Sequence, residues 1–271
     1  MDFTISTYRR LVSSFKENGY LFVTFSEFLT SRKNENDKLI IMRHDVDEQA
    51  QNALKMATVE HDLGIKATYY FRIVKQSNKP DIIKKIAAMG HEIGYHYEDL
   101  STANGNYELA IKSFEEHLHY FRTYYPVKTV CMHGSSTSKY DNRLLWSKFK
   151  LEDYDLIGEP YLSLDFTKTY YLTDTGYAWD GGKYATRDVV ENEFGLTFHF
   201  TNDIIYCIRK KEFPCQAMIL AHTLWTDNLF DWASLHIREI ARNHIKQIAV
   251  HNKYIGYLYK RMVSAYWGIK K

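Results

Sequence analysis

Proline is scarce in this chain, with 4 copies in 271 residues, and no Pro-, Gly- or Ser-rich stretch, repeat or low-complexity tract divides it. The length fits one large α/β domain or two small ones, and the lack of a linker favours a single domain over 1–271. Cysteine is also sparse. Cys131, Cys207 and Cys215 are odd in number and lack metal-type spacing, so each reads as a buried thiol and not as part of a cysteine framework. Buried thiols in a reducing compartment are the expectation. No charge sign dominates: 35 basic and 33 acidic residues leave a formal net charge of +2, so the chain as a whole offers no strong field to nucleic acid or an anionic membrane. The short basic run Arg209-Lys210-Lys211 reads as a solvated loop. No stretch approaches the ~20 apolar residues of a membrane span. Met1-Asp2-Phe3-Thr4 has no basic-then-apolar start, so no signal peptide and a cytoplasmic location are expected.

The chain does have material for a core, with 45% hydrophobic and 25% charged residues. The 22 Tyr, 15 Phe and 5 Trp are numerous enough to suit either sugar stacking or dense core packing. Helical spacing is present at Thr4 to Asn18, Glu48 to Leu63, Pro80 to Met89, Tyr107 to Tyr124 and, broadly, Asn228 to Met262. A brief helix capped by Ser26 is expected through Leu29. Strand-type runs cover Tyr20 to Phe25, Lys38 to Met42, Lys66 to Phe71, Glu92 to His96, Lys128 to Met132 and Gln216 to Ala221, with one more strand expected within Phe198 to Arg209. Lys150 to Arg187 reads as irregular. Strand and helix alternate, which predicts an α/β domain of barrel type with a C-terminal helical segment from about 228.

His44-Asp45-Val46-Asp47, His96, His133 and His222 all fall at or just after the ends of β-type runs. In parallel α/β folds the strand C-termini are where sites assemble. Asp45 and Asp47 are two apart in extended chain, so their side chains point the same way. Two like charges so placed repel unless a cation lies between them or one takes a proton, which suits one metal ligand and one general base. They also suit a pair of loop-capping aspartates. His96 is well placed for a metal ligand or for a structural histidine, and His91 reads as structural.

Taken together, Arg43-His44-Asp45-Val46-Asp47, Gly64-Ile65-Lys66-Ala67-Thr68-Tyr69-Tyr70-Phe71 and Gly90-His91-Glu92-Ile93-Gly94-Tyr95-His96 resemble, in order and spacing, the polysaccharide deacetylases (carbohydrate esterase family 4, NodB-homology). The Asp-x-Asp form is similar to the intracellular branch associated with lipopolysaccharide O-antigen biosynthesis. The resemblance spans roughly residues 38 to 225. It implies a distorted (β/α) barrel with fewer than eight strands and a zinc-type divalent ion held by one Asp and two His.

Position by position, the resemblance implies Asp45 as general base, Asp47 and His96 as metal ligands, and His222 as the late catalytic histidine. The family's Asp-Trp element has a reversed counterpart in Trp179-Asp180. The second metal histidine is expected four residues after His96, where this chain has Leu100, and leucine cannot bind a metal. The third ligand is then His133, Glu98 or Asp99, or no protein group at all; His133 is favoured, though it also falls near the family's substrate-contacting region. His44 would hold Asp45 or line the pocket, and Tyr161, Trp179 and Trp225 are candidate sugar-stacking residues. The implied reaction is metal-assisted hydrolysis of an N-acetyl or related acyl group from a sugar or nucleotide-sugar of surface-polysaccharide biosynthesis. The alternative is a degenerate member that binds a glycan or nucleotide-sugar without cleaving it, for which Leu100 is the main support.

Overall fold

A computed structural model describes residues 1–134, 138–179, 187, 190, 193–251 and 253–267. Helix α1 (Ile5–Glu17) starts at Thr4, whose hydroxyl accepts from the Thr7 amide, and buries Tyr8, Leu11, Val12 and Phe15 along one stripe. Strand β1 (Leu21–Val23) leads into α2 (Phe25–Thr30). Thr24, not Ser26, caps α2, through a reciprocal box with Glu27. Strand β2 (Leu39–Val46) is buried from Ile40 onward, the unbroken burial of a central parallel strand, and runs four residues beyond the apolar stretch that suggested it.

The chain then alternates: α3 (Ala50–Asp62), β3 (Thr68–Phe71), α4 (Pro80–Ala88), β4 (Glu92–Tyr97), the short α5 (Asp99–Thr102), α6 (Tyr107–Arg122) and β5 (Val130–Met132). Single 3-10 turns and α7 (Pro160–Ser163) precede β6 (Tyr170–Thr173), α8 (Thr201–Arg209) and β7 (Gln216–Leu220). Helices α9 (Leu229–His251) and α10 (Lys253–Trp267) close the described chain.

The strands form one parallel sheet in the order β5-β4-β3-β2-β7-β6, with β1 beside the first half of β2. The sheet curls into a half-barrel, a distorted barrel with fewer than eight strands, as expected. Where β5 would need a further neighbour, the described residues make an isolated bridge, Thr129 to Gly158. The larger apolar core lies between the sheet and its helices. A smaller one, with Ile41, Tyr70, Cys131 and Met218, lines the concave side. Gly94 in β4 is required there, because a Cβ at this position would lie 2.3 Å from the Tyr70 ring.

Two segments differ from expectation. Thr201–Arg209 is helix α8, not a strand: Thr201, Ile204, Ile205 and Ile208 are buried at helical spacing, and Asp203 accepts from the Phe200 amide at 2.9 Å to start the turn. The stretch read as irregular contains strand β6, which pairs with β7 in register Tyr170 to Ala217.

Candidate metal and acid-base site

All the parallel strands point their C-terminal ends the same way, and the ends of β2, β4, β5, β6 and β7 supply Asp45 with Asp47, His96 with Glu98, His133, Asp174 and His222. Strand alternation places Arg43 and Asp45 on one side of β2 and His44 on the other.

Asp47 is the convergence point. His96 Nε2 lies 3.5 Å and His133 Nε2 3.4 Å from its Oδ1. That oxygen is buried without a hydrogen-bond partner among the described residues. The other nitrogen of each ring is occupied. His96 Nδ1 lies 2.9 Å from the Cys131 carbonyl, which can only accept, so Nδ1 carries the proton and the Nε2 lone pair faces the carboxylates. His133 Nδ1 lies 3.1 Å from Glu98 Oε2, which orients that ring in the same sense. Burial pushes the His96 imidazole below its ordinary value, despite the pull of Asp45 and Asp47 in the other direction. It is therefore a neutral ring with its lone pair aimed at two carboxylate oxygens, each 3.5 Å away.

Acceptors so arranged repel unless a positive charge lies among them. The two distances from Asp47 Oδ1 are near the ~3.4 Å edge of a tetrahedron of ligands ~2.1 Å from a zinc-type ion. His96 and His133 thus each turn Nε2 toward Asp47, with ring orientations fixed by outer partners in the manner of metal-bound histidines. Among the described residues, the group of donor atoms that all lie within 4.8 Å of one another is a buried one, of Asp45, His96 and Cys131. Asp45 is the weaker ligand of the two aspartates. Arg43 donates from Nε to its Oδ1 at 2.8 Å and from Nη2 to its Oδ2 at 2.6 Å, which already neutralises it.

Glu98 and Asp99, the other candidates for the third ligand, are engaged elsewhere. Glu98 accepts from Arg72 Nε and Nη2 at 3.1 and 2.7 Å while holding His133. Asp99 receives Tyr95, Ser113 and His117. Leu100, where the resemblance expects a histidine, is buried in the core.

Burial alone would raise the Asp45 carboxyl, but Arg43, followed by His96, outweighs it and holds the group well below the usual carboxylate range. Across the site His222 behaves oppositely. Burial lowers its imidazole, but the hydrogen bond and charge of Asp174 override this and push it up to about 10. Nδ1 of His222 sits 2.7 Å from Asp174 Oδ1. Asp174 is itself fixed by the His222 amide at 2.9 Å and by Trp225 Nε1 at 2.8 Å. The Asp174 pairing was not anticipated; its one signal is an acid closing the run Tyr170-Tyr171-Leu172-Thr173.

The expected substrate-contacting residues divide. Tyr161 is half-buried on the concave side, its hydroxyl 3.1 Å from Tyr171 and its ring 4.9 Å from the Arg43 guanidinium and 5.6 Å from that of Arg143. Trp225 is fully buried among Phe3, Tyr8 and Trp179, so no ring face is left to stack on a sugar. Trp179 is buried too, donating to Thr201 Oγ1 at 2.9 Å, and Asp180 beside it lies outside the described residues. His44 neither holds Asp45 nor lines the pocket. It faces the helices, with Nδ1 on the Ala221 carbonyl and Nε2 on Glu60, each at 2.8 Å. Glu60 also receives Tyr8 and Tyr69, so this buried set ties β2 to the residue before His222.

No protein-family model and no curated protein matches the chain. Among solved structures it is similar to BA3943 of Bacillus anthracis, described as a CE4 family pseudoenzyme, at 14% identity and TM-score 0.42 over 78% of this chain. The chain spans 62% of the length of that protein. It is also similar to the Bc1960 peptidoglycan N-acetylglucosamine deacetylase (17% identity, TM-score 0.41, 84% of this chain and 88% of that one). A third likeness is to Bacillus subtilis PdaA, a family 4 carbohydrate esterase (15% identity, TM-score 0.36, 86% and 83%). No helix among the described residues is long and apolar enough to cross a membrane.

Proposed function

We propose that the chain is a divalent-metal-dependent hydrolase that removes an acetyl or related acyl group from the nitrogen of a sugar. One observation carries the reading: Nε2 of the neutral His96 and Nε2 of the oriented His133 both face the same Asp47 oxygen, 3.5 and 3.4 Å away, and that oxygen has no hydrogen-bond partner among the described residues. Asp47, His96 and His133 would hold the cation, of zinc type by its nitrogen and oxygen donors. When bound, such a cation supplies a Lewis acid that polarises an acyl carbonyl and makes water more acidic.

The remaining work falls to the chain's own groups. Asp45, held ionised by Arg43, accepts the proton of the attacking water. The same salt bridge lowers its basicity, so the transfer depends on prior acidification of that water. His222, charged at neutral pH, donates from Nε2 to the departing amine while Asp174 holds Nδ1. Tyr161, backed by Arg43 and Arg143, offers the half-buried aromatic surface on which a sugar ring rests.

Incubating the purified chain with N-acetylated oligosaccharides and UDP-N-acetylglucosamine, with and without Zn²⁺, Co²⁺ or Mn²⁺, tests the reading by acetate release. Metal-dependent release that is lost in His222→Ala supports it. Saturable sugar binding with no acetate under any metal would instead favour the non-catalytic alternative, which the leucine at position 100 supports.

A further inference from the structure

Helix α9 turns charge inward as well as the buried Leu235. Arg238 and Arg242 donate to Glu48 Oε1 at 2.7 and 3.4 Å, and Arg242 Nη1 pairs with the buried Glu239 at 2.7 Å. Its outward side is apolar: Phe230 is 81% exposed, Ile237 68%, Ile240 58% and Ile248 52%. At 100° per residue these four project within about one quarter of the helix circumference. Helix α10 packs on α9, anchored through Tyr266 to Glu48 at 2.6 Å, and adds exposed Leu258 and Met262.

The charge of this segment decides what covers the face. Residues 228–271 carry eight Lys or Arg against two Asp or Glu, leaving 27 basic and 31 acidic residues in the rest of the chain. Residues 253–271 contain five basic residues and no acid. The near-neutral whole-chain charge therefore hides a basic C-terminal segment on an acidic body. A second copy meeting the same face across a twofold axis would oppose like charge with like. An anionic surface is attracted to it, at about 1 kcal/mol per basic residue for lipid headgroups.

We infer that the α9–α10 hairpin docks in the plane of an anionic lipid surface, its apolar face entering the headgroup boundary and the exposed Arg261 meeting the lipid phosphates. The hairpin is pinned to Glu48, next in sequence to Asp47, so the docked face is linked directly to the loop that bears the site.

Co-sedimentation of the full chain with vesicles tests this, using phosphatidylcholine alone and phosphatidylcholine with about one-third phosphatidylglycerol. The inference requires binding to the anionic vesicles only. The binding should weaken when salt rises from about 0.1 M to about 1 M, which cuts the Debye length from about 10 Å to about 3 Å. The double variant Ile237→Ser/Ile240→Ser should bind at least ~10-fold more weakly with an unchanged thermal midpoint, since both side chains are largely exposed. Arg261→Glu should weaken binding while leaving the apolar face whole. Absence of binding, or equal binding to both vesicle types, overturns the inference. So does a solution dimer that the double variant converts to monomer, which would assign the face to a second copy.

Discussion

Replacing Asp174 by asparagine should move the titration of His222 by several pH units. Asp174 accepts the ring Nδ1–H at 2.7 Å and, with burial opposing, lifts the imidazole from its ordinary 6.5 to about 10. A neutral amide keeps the shape and removes the charge, so the midpoint should fall toward about 6.5. At pH 8 the charged fraction would then drop from nearly all to about 3%, an approximately 30-fold loss of proton donor, whereas at pH 6 about three-quarters would remain. Activity should follow this pattern, low in alkali and largely kept in mild acid.

The same shift has a stability signature. A folded value above the unfolded one stabilises fully below about pH 6.5 and loses that contribution as pH rises toward 10. The full shift corresponds to roughly 5 kcal/mol, of which ~3 kcal/mol would vanish between pH 6 and pH 9. Denaturant unfolding of the chelator-treated protein at those two pH values should show the loss in the wild type and not in Asp174→Asn. Ring-proton NMR reads the titration directly. A wild-type His222 titrating near 6.5, or a variant still titrating near 10, refutes the reasoning.

Three more outcomes are expected. Arg43→Met removes the partner of a buried carboxylate, so Asp45 should take up protons at higher pH, the acid limb of the activity profile should move upward, and the fold should lose about 3–5 kcal/mol in a denaturant titration. Glu98→Gln leaves His133 without its charged anchor and should weaken cation affinity about 10- to 100-fold in a competitive chelator titration, with His96 still in place. Glu60→Gln sits under the site, not in it: removing an acceptor shared by Tyr8, His44 and Tyr69 should cost about 1–3 kcal/mol of stability while cation stoichiometry is unchanged.

The frame of parallel strands and helices was legible because β2, β3, β4, β5 and β7 are short apolar runs between strongly periodic helices. In such a fold, polar residues at strand ends share a rim, so Asp45, Asp47, His96, His133 and His222 could be grouped before any coordinates. His44 could have been set apart by the same logic, since one residue out of phase with Asp45 it must face the opposite side of β2. Other features were hidden for physical reasons. Ile204-Ile205-Tyr206 reads locally as β, and only the stripe Thr201, Ile204, Ile205, Ile208 with the Asp203 cap marks α8. Strand β6 is a four-residue run in turn-rich sequence, and its pairing with β7, like that of Asp174 with His222 48 residues away, is long-range. Trp179 and Trp225 could not be told from sugar-stacking residues, because aromatic count is the same whether rings pack inward or face a ligand.

The central claim concerns which side chains hold the cation, and metal stoichiometry after dialysis against zinc tests it most directly. About one ion per chain is expected in the wild type, Asp45→Asn and Cys131→Ser, with little or none in Asp47→Ala and His96→Ala. Full occupancy in Asp47→Ala, together with loss in Cys131→Ser, would contradict it and place the ion on Asp45, His96 and Cys131 instead.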